Sequence, residues 1–325
     1  MDAPIPGGGE PCGGDRLGVR WGLAGGIALS TIDAVREVTR YATAAGFEAL
    51  WISHANAVDP IVALAATADE SGGLAEVGTS VVPLYGRHPI GLAQLARTAQ
   101  SALGGRFTLG IGAASRNAVA TSMGMAWEHP LAYTREFIAG LLPLLAGEPA
   151  DVDGTQVTTH AELNVSSPGT PVLLAALGPK MLELAGRTVD GTSVGQCGPR
   201  TIATHIAPRI REAAAAAGRP APRILSLIRL CVTDDPAERA AAYELAKETS
   251  SWYRTVPSYE HVQDIEGLAD PAELHLIGSW EQVLDGLGRH AEAGVTDFRL
   301  EIAAPSPAAR DSSRAALAAH LGGRS

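Results

Sequence analysis

The chain is poor in cysteine, in runs of basic residues and in long apolar stretches, and each shortage removes a class of function. Its three cysteines, Cys12, Cys197 and Cys231, are odd in number and far apart in 325 residues. No CxxC pair accompanies them, and no histidine stands beside them at metal-ligand spacing. This argues against a disulfide framework and a zinc site, and the expected compartment is a reducing cytoplasm. The 25 Lys and Arg residues are outnumbered by 35 Asp and Glu, leaving a formal net charge of −10. No Lys/Arg cluster interrupts that balance, so neither nucleic acid nor an anionic membrane surface is an expected partner. No stretch approaches the roughly 18 apolar residues that span a bilayer. The opening residues, MDAPIPGGGEPCGGD, lack the basic and apolar regions of a secretory signal. HExxH, GxSxG and the Walker lysine motif are missing, as is a third glycine to complete a dinucleotide fingerprint after Gly110 and Gly112. No metal site and no serine-hydrolase chemistry is expected.

What remains is a globular composition, 46% hydrophobic and 18% charged, with a mean hydropathy of +0.09. Residues 1–15 read as a flexible Gly/Pro-rich tail and 16–325 as one domain. Within that domain, β-tending apolar runs at 17–23, 49–53, 76–82, 107–111, 171–176, 191–195, 223–232 and 296–302 alternate with amphipathic helical stretches. Several of those stretches open on a capping residue or a cap–proline pair: Ser30 or Thr31, Asp59-Pro60, His88-Pro89 and Asp235-Pro236. Eight strand–helix units imply parallel strands with right-handed crossovers. With no linker or composition break, a closed (β/α)8 TIM barrel is favoured over a doubly wound sheet. The stretch 151–166, with its Asp153-Gly154 turn, predicts a small hairpin inserted on the rim before the fifth strand.

In such a barrel the chemistry lies at the carboxyl ends of the strands. The second run is followed there by His54 and Asn56, and the third by the segment from Ser80 through Tyr85 to Arg87. The fourth is followed by Ser115, Arg116 and Asn117. The fifth leads into Leu177-Gly178-Pro179-Lys180, and the sixth into Gly195-Gln196-Cys197-Gly198. A glycine and a proline at a helix opening let an anion approach free backbone N–H groups, and Lys180 adds a positive charge. The plainer reading is that Gly-Pro only makes the turn. The segment 248–268, with Trp252, Tyr253 and Tyr259, is the expected substrate-facing lid.

Five stretches in order carry a resemblance: GTSVVPLYGRHPIGLA (78–93), GGRFTLGIG (104–112), PVLLAALGPKMLELAGRTVDGT (171–192), GRPAPRI (218–224) with CVTDDPAE (231–238), and AGVTDFRL (293–300). The chain resembles the luciferase-like monooxygenase superfamily, in particular its actinobacterial branch that uses the deazaflavin coenzyme F420. The resemblance implies a TIM barrel of the bacterial-luciferase type with a non-proline cis peptide between Ser80 and Val81 under the flavin. It places the cofactor phosphate on Leu177, Gly178, Pro179 and Lys180 together with Gly195, Gln196 and Cys197. It also implies a reductase that moves hydride from C5 of the reduced deazaflavin to an electron-poor C=C or C=N bond of a small molecule. His54 and Tyr85 are then the candidate proton donors, with bulk water as a third source, and Ser115, Arg116, Asn117 and Trp252 the candidate substrate contacts. F420-dependent sugar-phosphate dehydrogenases carry a base histidine after the second strand and a carboxylate after the fourth. Here His54 stands one position away and Ser115 replaces the acid, which speaks against sugar-phosphate oxidation. Two alternatives stay open: an FMN-dependent monooxygenase, and a barrel that binds without redox chemistry. A homodimer is common among such proteins and compatible with this chain.

Overall fold

Every one of the eight apolar runs becomes a stave of one closed barrel. The computed structural model describes residues 17–323, so the tail expected over 1–15, and Cys12 with it, lies outside the described residues. In chain order the strands are β1 (Arg20–Ala24), β2 (Ala49–Ile52), β3 (Glu76–Thr79), β4 (Val82–Pro83), β5 (Phe107–Gly112), β6 (Ala150–Val152), β7 (Thr159–Ala161), β8 (Val172–Ala175), β9 (Gly191–Val194), β10 (Arg223–Val232), β11 (Leu276–Gly278) and β12 (Asp297–Ile302). The helices are α1 (Ile32–Ala44), α2 (Pro60–Ala66), α3 (Pro89–Ala102), α4 (Pro130–Ala146), α5 (Pro179–Thr188), α6 (Pro199–Thr201), α7 (Ala207–Ala216), α8 (Pro236–Ser250), α9 (Pro257–Glu266), α10 (Trp280–Glu292) and α11 (Pro307–Gly322).

Parallel pairing runs β1-β2-β3-β5-β8-β9-β10-β12, and β12 closes on β1 in the register Arg20↔Asp297 to Leu23↔Leu300. Closure leaves none of these eight strands with a free edge. The run expected over 76–82 is interrupted by a cis peptide between Ser80 and Val81. Its second part, β4, therefore pairs separately with the end of β5. β11, which the alternation did not announce, extends the sheet beside the end of β10. The helix starts follow their capping chemistry. Thr31, Asp59, His88 and Asp235 each accept a backbone N–H of the following turn.

The interior has two levels. Halfway up, Trp51 is fully buried and packs with Ala49, Leu173 and Leu225. A Cβ on Gly78 would lie 2.5 Å from Trp51 Cζ3, so the indole and the glycine require one another. At the amino-terminal end, Arg223 donates to both oxygens of Glu76 at 2.8 Å and to Asp297 at 2.7 Å. Arg20 reaches the same two carboxylates at 3.1 and 2.9 Å. Two cations and two anions plug that end in balance. The hairpin expected over 151–166 forms as β6 and β7. Glu136 of α4 accepts the N–H groups of Gln156 and Val157, and His88 at the start of α3 bonds Thr158 O. The insertion thus lies against α3 and α4.

Candidate active site

At the carboxyl end of the strands a cavity of about 460 Å³ opens above Trp51. Its wall is made by residues just past β2 (His54, Ala55, Asn56), the Ser80-Val81 step, Gly112 and Ala114 past β5, Ala175 of β8, and Gly195-Gln196 past β9. Leu227 and Arg229 of β10, Arg299 and Glu301 of β12, and Tyr253 and Tyr259 complete it. Ile27, 64% exposed, and Met123, 40% exposed, give the opening an apolar margin.

Of the residues singled out in the sequence, His54, Asn56, Ser80, Val81, Gly195, Gln196, Tyr253 and Tyr259 share this cavity, and Leu177, Gly178, Pro179 and Lys180 do not border it. Burial holds the His54 imidazole below its usual range, and the nearby Arg87 cation adds to that, against the pull of Asp59. Arg87 itself is paired with Asp59 at 2.6 Å. Gln196 is held at φ +60°, a left-handed conformation unusual for a side chain of its size, and its Oε1 accepts from Gln263 Nε2 at 3.3 Å. Tyr85 does not line the cavity. It is buried and stacked on Tyr133, ring centroids 4.1 Å apart, and burial raises its pKa. Cys197 points away into the core, where burial pushes its thiol well above the usual range.

The segment after β5 approaches the cavity through different residues from those expected. Ser115, Arg116 and Asn117 start a helical turn: Ser115 Oγ accepts Ala118 N, Asn117 Oδ1 accepts Thr121 Oγ1, and Arg116 lies over the Trp127 ring at 4.9 Å. One turn on, Ala118, Ser122 and Met123 face inward. Trp252 is half exposed and sits edge-on to Tyr253; it is Tyr253 and Tyr259 that line the cavity. Burial first, then the neighbouring Tyr253, pushes the Tyr259 phenol up to about 12.

The two helix openings have different fates. At α5, a Cβ on Gly178 would meet nothing within 4 Å, Pro179 occupies the first helical position, and Lys180 is exposed without an ion pair among the described residues. That opening has free space and donors suited to an anion. At α6 the cradle is filled by the chain's own carboxylate. Glu266 accepts Arg200 N at 3.2 Å and Thr201 N at 2.7 Å, and a Cβ on Gly198 would collide with it.

Arg299, Arg229 and Glu301, none of them among the expected site residues, carry the polar floor. Arg299 donates at 2.6 Å to Ser80 Oγ and at 2.6 Å to Ser53 Oγ, while Ser80 Oγ and Ser193 Oγ are 2.8 Å apart. Arg229 pairs with Glu301 at 2.9 Å and donates to Tyr253 Oη at 3.1 Å. The signal was in DFRLEI (297–302): acid, base and acid alternate there with apolar residues, which puts all three charges on the lumen side of one strand. Among the described residues no group of three His, Cys, Asp or Glu side chains is placed to hold a metal, and no helix is long and apolar enough to cross a membrane.

The profile of the luciferase-like monooxygenase family matches residues 18–297. The chain belongs to this family. Among its relatives is a 5,10-methylenetetrahydromethanopterin reductase of Methanolobus tindarius, 30% identical over 78% of this chain and 77% of that one. An F420-dependent glucose-6-phosphate dehydrogenase of Beutenbergia cavernae is 30% identical over 80% of this chain and 83% of its own. The fold is shared with the FMN-bound oxygenating constituent of 3,6-diketocamphane monooxygenase from Pseudomonas putida. That structure superposes with a TM-score of 0.73 at 20% identity, covering 94% of this chain and 98% of its own. Membership of this family makes the chain an enzyme, an oxidoreductase on a TIM barrel.

Proposed function

We propose that the chain is an F420-dependent reductase that delivers hydride to an electron-poor C=C or C=N bond of a small molecule. The observation that carries the reading is the cavity itself. One space is bordered by Ser80-Val81 and by Gly195-Gln196, two of the segments that the family resemblance connects with the cofactor, and by Ala175 on the strand that leads to the third. Kinship at 30% identity with an F420-dependent dehydrogenase favours the deazaflavin over FMN. The reduced deazaflavin, when bound, supplies the hydride from C5.

The remaining contributions belong to the chain. Gly178 leaves room for a phosphate at the start of α5, where the helix dipole and Lys180 favour negative charge. The α6 opening contributes no N–H from Arg200 or Thr201, because Glu266 holds both. Leu177 anchors this region by accepting His205 Nε2 at 2.7 Å. His54, kept neutral by burial, orients polar atoms of the substrate at the mouth rather than acting as a strong acid. Tyr259, protonated throughout the physiological range, is the hydroxyl offered to charge that develops in the cavity, and water entering at the open mouth supplies the proton that completes the reduced bond. Tyr85 takes no part, since it lies behind the wall, stacked on Tyr133. Ser115, Arg116 and Asn117 build the loop that carries Met123 rather than touch substrate.

Fluorescence titration with F420 beside FMN tests the reading. F420 should bind at least tenfold tighter, and Lys180→Ala should weaken it about tenfold, close to 1.4 kcal/mol. The affinity should fall as salt rises, because a surface lysine is screened beyond roughly 8 Å at physiological ionic strength. Tighter binding of FMN, followed by oxygen uptake on reduction, would replace the deazaflavin with the second cofactor.

A further inference from the structure

The two charged clusters in the barrel differ by one unit of charge, and the difference falls in the cavity. At the amino-terminal end Arg20 and Arg223 face Glu76 and Asp297, and the account balances. On the cavity floor Arg229 and Arg299 face Glu301 alone, and Glu301 is committed to Arg229. Arg299 is 8% exposed and makes no ion pair among the described residues. Its acceptors are two serine hydroxyls, and its Nε has no hydrogen-bond partner. Serine hydroxyls satisfy N–H groups but do not neutralise a charge. A buried cation paired only with neutral oxygens is costly unless something else completes the site. Burial pushes the guanidinium pKa down to about 10 in spite of Glu301.

We propose that the floor formed by Arg299, Ser53, Ser80 and Ser193 binds a carboxylate of the substrate. The substrate class is then a monocarboxylic acid whose body extends toward Ile27 and Met123. This deepens the reading of the cavity as a substrate site and rests on it. Three features select a monocarboxylate over other anions. The guanidinium fork matches a planar carboxylate in two contacts. The floor carries a surplus of one positive charge, so a single negative charge completes it. Glu301 stands on the same wall, and a dianionic phosphate would meet that fixed carboxylate. The apolar margin of the mouth, with Ile27 and Met123 exposed, suits a hydrocarbon body above the charged head.

The test is calorimetric titration of the whole protein, free and saturated with F420, using benzoate and its neutral counterpart benzamide. Benzoate should bind at least tenfold tighter than benzamide to both forms, and Arg299→Met should remove that preference while leaving benzamide binding alone. Equal affinity for the two probes overturns the proposal, and this comparison on the native chain decides even if the variant does not fold. Inorganic phosphate should not displace benzoate; displacement at equal or better affinity overturns the assignment to a monoanion. Complete displacement of benzoate by F420 assigns the guanidinium to the cofactor and overturns the substrate assignment. F420 binding followed in parallel by fluorescence separates the two readings. Cofactor binding without benzoate binding removes this site alone, and benzoate binding without cofactor binding removes the deazaflavin reading while this site stands.

Discussion

Single residues in this barrel earn their places by pairing, and removing a partner is more damaging than the pair is stabilising. Arg223 holds Glu76 and Asp297 at the closed end, both almost fully buried. Arg223→Met leaves the two carboxylates with Arg20 as their one remaining cation among the described residues and should destabilise the chain by about 3–5 kcal/mol. Urea unfolding would measure it; a loss under 1 kcal/mol would mean the plug is ornamental. Two buried histidines add a pH dependence of definite sign. Burial lowers the pKa of His290 and of His275 to about 4, from 6.5. The unfolded chain takes up these protons near 6.5 and the folded chain does not, so stability is complete above that pH and declines as pH falls toward 4. For His290 the full loss is roughly 3 kcal/mol, since each pKa unit is worth 1.36 kcal/mol. Among the described residues His290 Nδ1 has no hydrogen-bond partner. His290→Met should therefore cost little at pH 7.5 and flatten the acid limb of a Tm-versus-pH curve; an unchanged slope would exclude this histidine as its source.

At the scale of elements, α9 ties the lid to the barrel by its own chemistry. Its last residue, Glu266, caps the opening of α6, Val262 O accepts Thr201 Oγ1 at 2.8 Å, and Gln263 meets Gln196. Glu266→Ala removes the acceptor of two backbone N–H groups and should cost about 1–2 kcal/mol, as the loss of a helix cap does. Hydrogen exchange should rise over residues 251–266 in that variant while the strands stay protected. Uniform exchange across the chain would show that the lid is not fastened there. The sequence could not disclose this arrangement. Gly198-Pro199 has the same local pattern as Gly178-Pro179, and only the folded chain brings a carboxylate from 266 to one opening and none to the other. The same holds for residues 115–117. They lie at the right strand end, but the helical turn they start rotates them outward and presents Ala118 and Ser122 instead.

For the whole molecule, the barrel was legible because its strands are buried on both faces and its helices begin on caps, so two independent periodicities agreed. The eight strands and the hairpin fall where the sequence placed them, and the cis step at Ser80 where the family resemblance placed it. The floor of the cavity was readable in principle from the alternation in DFRLEI, yet charged residues inside a strand are easily taken for its solvent face. Only the closure of β12 onto β1 and β10 turns that face into a lumen.

The plugged lower half has a kinetic consequence. With Trp51 and the Arg223 cluster filling the barrel beneath the cavity, the cavity has no way through to the amino-terminal face, so both reactants must come and go by one doorway. An acceptor that enters ahead of the deazaflavin blocks it, so turnover should pass through a maximum as acceptor concentration rises, and more reduced coenzyme should move that maximum upward. A rate that climbs to a plateau without falling would show that the two reactants do not obstruct one another.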